Sequence, residues 1–262
     1  MFKGQRAVRA TSADRSSRNM NAIEHIRAAQ HAEWVDEDGE AVAIELAAPI
    51  TTEQIDSLQS QVGQPLPEEL RSLLMFCSGI EGGCLDGLDF TGSRMSFAQE
   101  QIFPSGLPIA ADGFGNFWVL DITPQTTQVA PVFFACHDPP VVLYQSPDIA
   151  SFLAEVFRMN TPPHKSLVDD VHEDRLFRVW RTNPGVNSQP IASASSDPAV
   201  RSFASGLAEH FQIVDLRSAD PGMGFSWGRY GPRTDVRRHG YERIFGYAKP
   251  TSPGLSKKVL SR

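Results

Sequence analysis

Residues 136–138 place a thiol, an imidazole and a carboxylate in succession: Cys136, His137 and Asp138. These are the groups of nucleophilic catalysis, in which an imidazole takes the thiol proton and a third group orients it. They are also ligands of transition metals. Their spacing argues against both uses. "VAPVFFAC" (129–136) is a β-branched and aromatic run that reads as a strand, and a strand sends successive side chains to opposite faces. Cys136 and Asp138 then share one face while His137 points to the other, so the three cannot converge. No HxH, HxxxH or CxxC spacing adds further ligands. Cys136 is expected in the core, with His137 and Asp138 at a strand end that leads into a Pro-Pro turn.

Two other stretches carry chemistry-capable groups. In "VDDVHED" (168–174), Asp169, His172 and Glu173 approach one another at i, i+3 and i+4 if the segment is helical. A metal site or a solvated helix face would both fit, and the solvated face is expected. "RYGPRTDVRRHGYER" (229–243) interleaves Arg229, Arg233, Arg237, Arg238 and Arg243 with Tyr230 and Tyr241. That mixture suits single-stranded nucleic acid, or docking against the acidic remainder of the same chain or a partner; the second use is favoured. "GFGNF" (113–117) has too few glycines for a phosphate cradle, and a strand follows where a helix is needed. Walker and HExxH motifs are absent. The chain is expected to be no enzyme and to need no metal or cofactor.

The elements that must position these groups follow from periodicity. "NAIEHIRAAQHAEWV" (21–35) has Ile23, Ile26, Ala29 and Trp34 at helical spacing, and "AVAIEL" (41–46) a short strand's composition. Thr51 with Gln54 forms a capping box ahead of the stripe Ile55, Leu58 and Val62, which Gly63 ends. Pro67 is expected at the first position of a second helix, with Glu68 and Glu69 in its first turn. Leu70, Leu73, Leu74 and Cys77 should be its buried face and Gly79 its C-cap. "CLDGLDF" (84–90), "MSFA" (95–98), "FWVLDI" (117–122) and 129–136 are expected strands of a small antiparallel sheet. Helical spacing returns at 146–159 and 166–182, a polar linker or loop is expected over 183–198, and a helix over 197–211 precedes a strand at 212–218. The order gives an α+β fold, a small antiparallel sheet packed by helices with an additional C-terminal α/β elaboration. The expected units are a disordered basic tail (1–19), a core with an N-terminal helical extension (20–160), and a C-terminal extension or small second domain (161–262). The tail's composition also fits a transit peptide, or a stretch ahead of a start at Met20.

With 41% hydrophobic and 21% charged residues the chain can bury a core, and no apolar run is long enough to span a bilayer. Three cysteines without a CxxC pair fit buried thiols and a reducing, cytoplasmic setting. The net charge of −7 divides unevenly, with +4 over 1–20, −17 over 21–212 and +6 over 213–262. So acidic a body repels nucleic acid and suits a basic protein partner.

Four stretches together bring a family into view. "LPEELRSLLMFCSGIEGG" resembles the proline-led helix and small-residue turn of the SUKH superfamily, which includes the Smi/Knr-type cell-wall regulators of fungi. "DGFGNFWVLDI" is similar to that family's turn into an aromatic strand ending in Asp. "VAPVFFACHD" is similar to its next strand, and "SFLAEVF" to its closing helix. The resemblance covers about 50–160 and implies a SUKH-like core. It also implies an immunity protein that neutralises a cognate toxin delivered by contact-dependent or type VI secretion, by occlusion without chemistry of its own. A regulatory scaffold is the alternative it leaves open. The Arg-rich, Lys-poor composition (19 against 5) points to a high-GC bacterial genome and favours immunity. The expected contacts with a basic toxin are the loop carboxylates Glu81, Asp86, Asp89, Asp112 and Asp138, with Phe90 and Phe114 as aromatic anchors. Oligomeric state is left open.

Overall fold

Helix α1 (Ala22–Gln30) begins at Asn21, whose side chain accepts from the Glu24 N–H while the Glu24 carboxylate takes the Asn21 N–H. It is shorter than its apolar spacing implied. Trp34 belongs instead to β1 (Trp34–Val35), which pairs with β2 (Ala41–Val42), and its indole donates to Ala29 O at 2.7 Å. The computed structural model describes residues 20–35, 38–83, 85, 87–93 and 101–250. The expected basic tail, the strand at 95–98, Cys84 and Asp86 lie outside the described residues.

Helix α2 (Thr52–Val62) has the expected capping box at Thr51 and Gln54 and ends at Gly63 with φ 75°. Helix α3 (Glu68–Phe76) buries Leu70, Leu73 and Leu74 as its spacing required. Two expectations at its ends need correction. Pro67 sits before the helix as its cap residue, and Gly79 is no C-cap, because it opens strand β4 (Gly79–Glu81). A Cβ at Gly79 would lie 2.3 Å from Leu88 O, so close strand approach requires the glycine. Glu69 caps another helix altogether. Its carboxylate accepts from the Ile149 and Ala150 N–H groups at the start of α4 (Ile149–Met159).

All eight strands of the main sheet are antiparallel. Besides β4 it contains β3 (Glu45–Leu46), β5 (Leu88–Asp89), β6 (Gly106–Ala111), β7 (Phe117–Asp121), β8 (Val132–His137), β9 (Pro140–Ser146) and β12 (Gly224–Phe225). Their spatial order is β12-β9-β8-β7-β6-β5-β4-β3. Strands β6 and β9 had no counterpart in the periodicity. Both are buried on two sides, so neither shows the polar alternation that marks a half-buried strand. Trp118, Leu120, Phe134, Cys136, Val141 and Leu143 face a helical layer that includes α1 to α4. The intervening Val119, Phe133, Ala135, Val142 and Tyr144 face Val214, Leu216, Phe245 and Tyr247 on the other side.

Those last residues belong to or adjoin a second sheet, order β10-β11-β14-β13, made of β10 (Asn187–Ser188), β11 (Gln212–Asp215), β13 (Asp235–Arg238) and β14 (Ile244–Ala248). Its far face packs on two short helices, α6 (Gln189–Ser193) and α7 (Pro198–Ser205). The stretch 183–198, read as linker, thus contains a strand and a helix. Its polar composition hides them because only Ala192 is buried there. The fold is α+β, in four layers: helices, sheet, sheet, helices. Among the described residues no helix is long and apolar enough to cross a membrane.

A buried ion pair ties the sheets together. Arg238 on β13 donates to both carboxylate oxygens of Asp121 on β7, at 2.8 and 2.9 Å, with side chains 3% and 2% exposed. Its remaining donors reach the carbonyls of Ile102, Tyr241 and Glu242, and the guanidinium lies over Phe245. Removing one partner strands the other charge in a dry site. Arg238→Ala is expected to destabilise the protein by about 3–5 kcal/mol, measured by urea unfolding. A loss below about 1 kcal/mol would show that the pair is not holding the layers.

Glu69 offers a second test. Burial first, and the charge of Asp148 next, push its carboxyl from 4.5 up to about 7, against the two helix N–H bonds that pull it down. The folded protein therefore holds a proton that the unfolded chain has released, and stability falls as pH rises from about 4.5 to 7. Between pH 5 and 8 the stability of wild type relative to Glu69→Gln should drop by roughly 2 kcal/mol. A pH-independent difference between the two in chemical denaturation would refute the assignment.

Candidate functional site

The registers bring several loops to one end of the main sheet. Ala111 pairs with Phe117, Phe117 with Ala135, and His137 with Pro140, so turn 112–116 and turn 138–139 are neighbours. Leu88 pairs with both Ala110 and Ile80, which carries Glu81 and the loop after it to the same end. Helix α5, over 167–182, completes the group. It opens with an α-helical turn (Leu167–Asp169), widens to a π-helix at Asp170–Arg175, and returns to α-helix at Leu176–Thr182.

The widening follows from sequence spacing. The buried positions are Val168, Val171, Leu176 and Val179, with a step of five at the centre where an α-helix needs three or four. A π turn absorbs the extra residue. It keeps Leu176 inside and leaves Arg175 outside, where its Nε donates to Asp170 Oδ2 at 3.1 Å. It also turns His172 toward the sheet, against Trp118 and Phe134, with its Nε2 at 3.3 Å from Asp112 Oδ2.

Asp112 is the hub of this end. Its side chain, 5% exposed, accepts from the Phe114 N–H (2.8 Å), the Asn116 N–H (3.1 Å) and Asn116 Nδ2 (2.6 Å), besides its contact with His172. Burial raises this carboxyl, but the four hydrogen bonds together hold it below the ordinary value. Asn116 passes the network on, with its Oδ1 accepting from the His137 N–H at 3.0 Å and lying 2.8 Å from His137 Nδ1. Two histidines, an asparagine and an aspartate thus line up as His137–Asn116–Asp112–His172. No nucleophile joins them. Cys136 points into the helix-side core, and burial pushes its thiol up to about 11. Among the described residues no group of three or more His, Cys, Asp and Glu is placed to hold a metal ion.

The expected contact residues divide three ways. Phe114 is 81% exposed, and Asp138 and Glu81 are exposed at the same end of the sheet. Asp89 and Phe90 are corrections. Phe90 is fully buried in the helix-side core, and Asp89 is buried with its oxygens taken by Thr91 and Ser93, because β5 runs away from this end. Asp112 is also a correction, since it serves the turn and not the solvent. Asp86 lies outside the described residues. Sequence reading missed Asn116 and the role of His172. The five-residue step in the apolar stripe of α5 was the signal available for the latter.

The arginine-rich stretch is used largely by its own chain. Arg229 donates to Trp180 O, Arg237 pairs with Asp235, Arg238 with Asp121, and Arg243 donates to Arg217 O. Tyr241 accepts from Gln64 across the fold. In the 168–174 cluster, Asp169 accepts from Ser166 and Asp170 pairs with Arg175, so the carboxylates do not converge on His172.

Residues 49–155 match the SMI1 / KNR4 family (SUKH-1). The match runs from just ahead of α2 into α4 and takes in strands β4 to β9 with both turns. It leaves out α5, the second sheet and its helices. No curated protein and no solved structure matches the chain.

Burial sets the thiol chemistry. Cys77 and Cys136 are both buried, with thiols pushed up to about 11, so iodoacetamide at pH 8 should leave them unmodified in the native protein. Both should react in denaturant, as read by peptide mass mapping. Alkylation of native Cys136 would reopen the case for a reactive thiol beside His137.

Proposed function

We infer that this chain, whose residues 49–155 form an SMI1 / KNR4 (SUKH-1) domain, is a non-catalytic binding protein of the immunity or Smi/Knr type. In the specific reading favoured here it is a cytoplasmic immunity protein. It binds a cognate, basic, cytosol-acting toxin, such as a nuclease delivered by type VI or contact-dependent secretion, and blocks it by occlusion.

One observation carries the reading. The described segments that meet at the loop end of the sheet, 81–83, 112–116, 137–139 and 169–174, contain seven carboxylates and no lysine or arginine, and four of the seven, Glu81, Asp138, Glu173 and Asp174, are exposed. Phe114 stands out from their midst, 81% exposed. A projecting aromatic inside a predominantly acidic rim, in which Arg175 is paired with Asp170, suits a basic protein surface with an apolar recess: the ring supplies desolvated contact and the rim steers encounter. A basic enzyme that engages nucleic acid has such a surface. Glu81, Phe114 and Asp138 are the proposed contacts. Regulatory scaffolding fits the same family and is separated from immunity by the growth assay below.

Inducing the neighbouring reading frame in a laboratory bacterium, with and without this chain, should give killing that only the intact chain cures. With the toxin so obtained, Phe114→Ala should weaken association at least tenfold. Glu81→Lys with Asp138→Lys should slow association, more strongly at low salt. A harmless neighbour, or toxicity the chain does not cure, would favour the scaffold. Unchanged binding by both variants would move the interface elsewhere.

A further inference from the structure

The Phe114 turn is held in part from outside the family-matched segment. Its only described side-chain bond to a helix is the 3.3 Å contact of His172 Nε2 with Asp112 Oδ2, and His172 belongs to α5, beyond residue 155. The imidazole rests on two adjoining rings, at 5.7 Å between centroids from Trp118 and at 5.1 Å, edge-on, from Phe134. It reaches Asp112 because the π segment adds a residue to the turn between Val171 and Leu176. We propose that His172 is a positioning residue that clamps the Asp112–Asn116 turn and so holds Phe114 in its projecting, partner-ready conformation. This rests on the reading of Phe114 as an anchor, but the clamp itself can be tested without a partner.

The physical logic is one of entropy. An exposed aromatic on a loose turn must be ordered on binding, which costs affinity, whereas one on a fixed turn has been ordered by folding. Asp112 already accepts the Phe114 and Asn116 N–H groups from within the turn. Asn116 Nδ2 also bonds Oδ2, at 2.6 Å, but all three of these donors belong to the turn itself, so without a contact from α5 the carboxylate and its turn can loosen together. His172 supplies the outer contact, and Asn116 ties the other flank to His137. A clamp on the added helix lets the orientation of the anchor vary with sequence in α5 while the matched core stays unchanged. The residues next to the clamp, Glu173 and Asp174, are exposed and extend the acidic rim.

Amide hydrogen exchange in the isolated full-length protein provides the test. His172→Ala should speed exchange of the Phe114 and Asn116 amides about tenfold or more, while the Val119 and Phe133 amides of the β7–β8 ladder keep wild-type protection. His172→Gln, whose amide nitrogen can take the place of Nε2, should restore most of that protection. Glu173→Ala, at an exposed position on the same helix that makes none of the Asp112 hydrogen bonds, should behave as wild type. Unchanged exchange at the two turn amides in His172→Ala would overturn the clamp. So would equal acceleration throughout the sheet, because His172 would then contribute only to global stability. None of these outcomes depends on a toxin. A failed binding experiment with Phe114→Ala would therefore count against the proposed interface, and a failed exchange experiment against the clamp.

Discussion

The architecture depends on the contact between Asp121 and Arg238. Transferring both ions out of water is expensive, and the cost is offset only where geometry is good and every remaining donor is bonded. Here the guanidinium makes two bonds to the carboxylate and three to carbonyls. Burial pushes the Asp121 carboxyl up, and the Arg238 hydrogen bonds and charge pull it back. The pair fixes the register of β13 against the end of β7. Around it Val119, Phe133, Val142 and Tyr144 meet the apolar face of the second sheet.

Closing that face decides which surfaces remain for recognition. The main sheet has helices on one side and the second sheet on the other. Strand β12 covers its edge at β9, with Gly224 so close to Val142 that a Cβ would stand 1.9 Å from the carbonyl oxygen. Among the described residues, what remains open includes the two sheet ends, the edges at β3 and β12 and the outer faces of the helices. One end is occupied by Asp121, Arg238 and the loops around them. The other carries Glu81, Phe114, Asp138 and the π segment of α5.

The polar residues at that end show how a constellation that looks catalytic can be architectural. His137, Asn116, Asp112 and His172 form a chain of hydrogen bonds, yet every link ends on the backbone of a turn or on another member of the chain. The thiol that would complete a nucleophilic arrangement lies on the opposite face of β8, as strand alternation requires. The network spends its bonding capacity on the shape of the 112–116 turn, whose outermost side chain is the apolar Phe114.

How much of this was legible without coordinates differs by interaction range. Residue order by itself determined the capping box at Thr51 and Gln54, the left-handed stop at Gly63, the buried stripe of α3 and the inward direction of Cys136. Each depends on neighbours a few positions apart, within reach of local periodicity. The four family-like stretches were also legible, being local patterns in a fixed order. Tertiary structure alone decided that Glu69 caps α4, 80 positions away, and that Arg238 belongs to Asp121 and not to a nucleic acid. It alone decided that Asp89, Phe90 and Asp112 are buried while Phe114 projects. A carboxylate has the same charge wherever it sits in the sequence. Whether it meets solvent, a helix terminus or a guanidinium is set by strands and helices that arrive from distant parts of the chain.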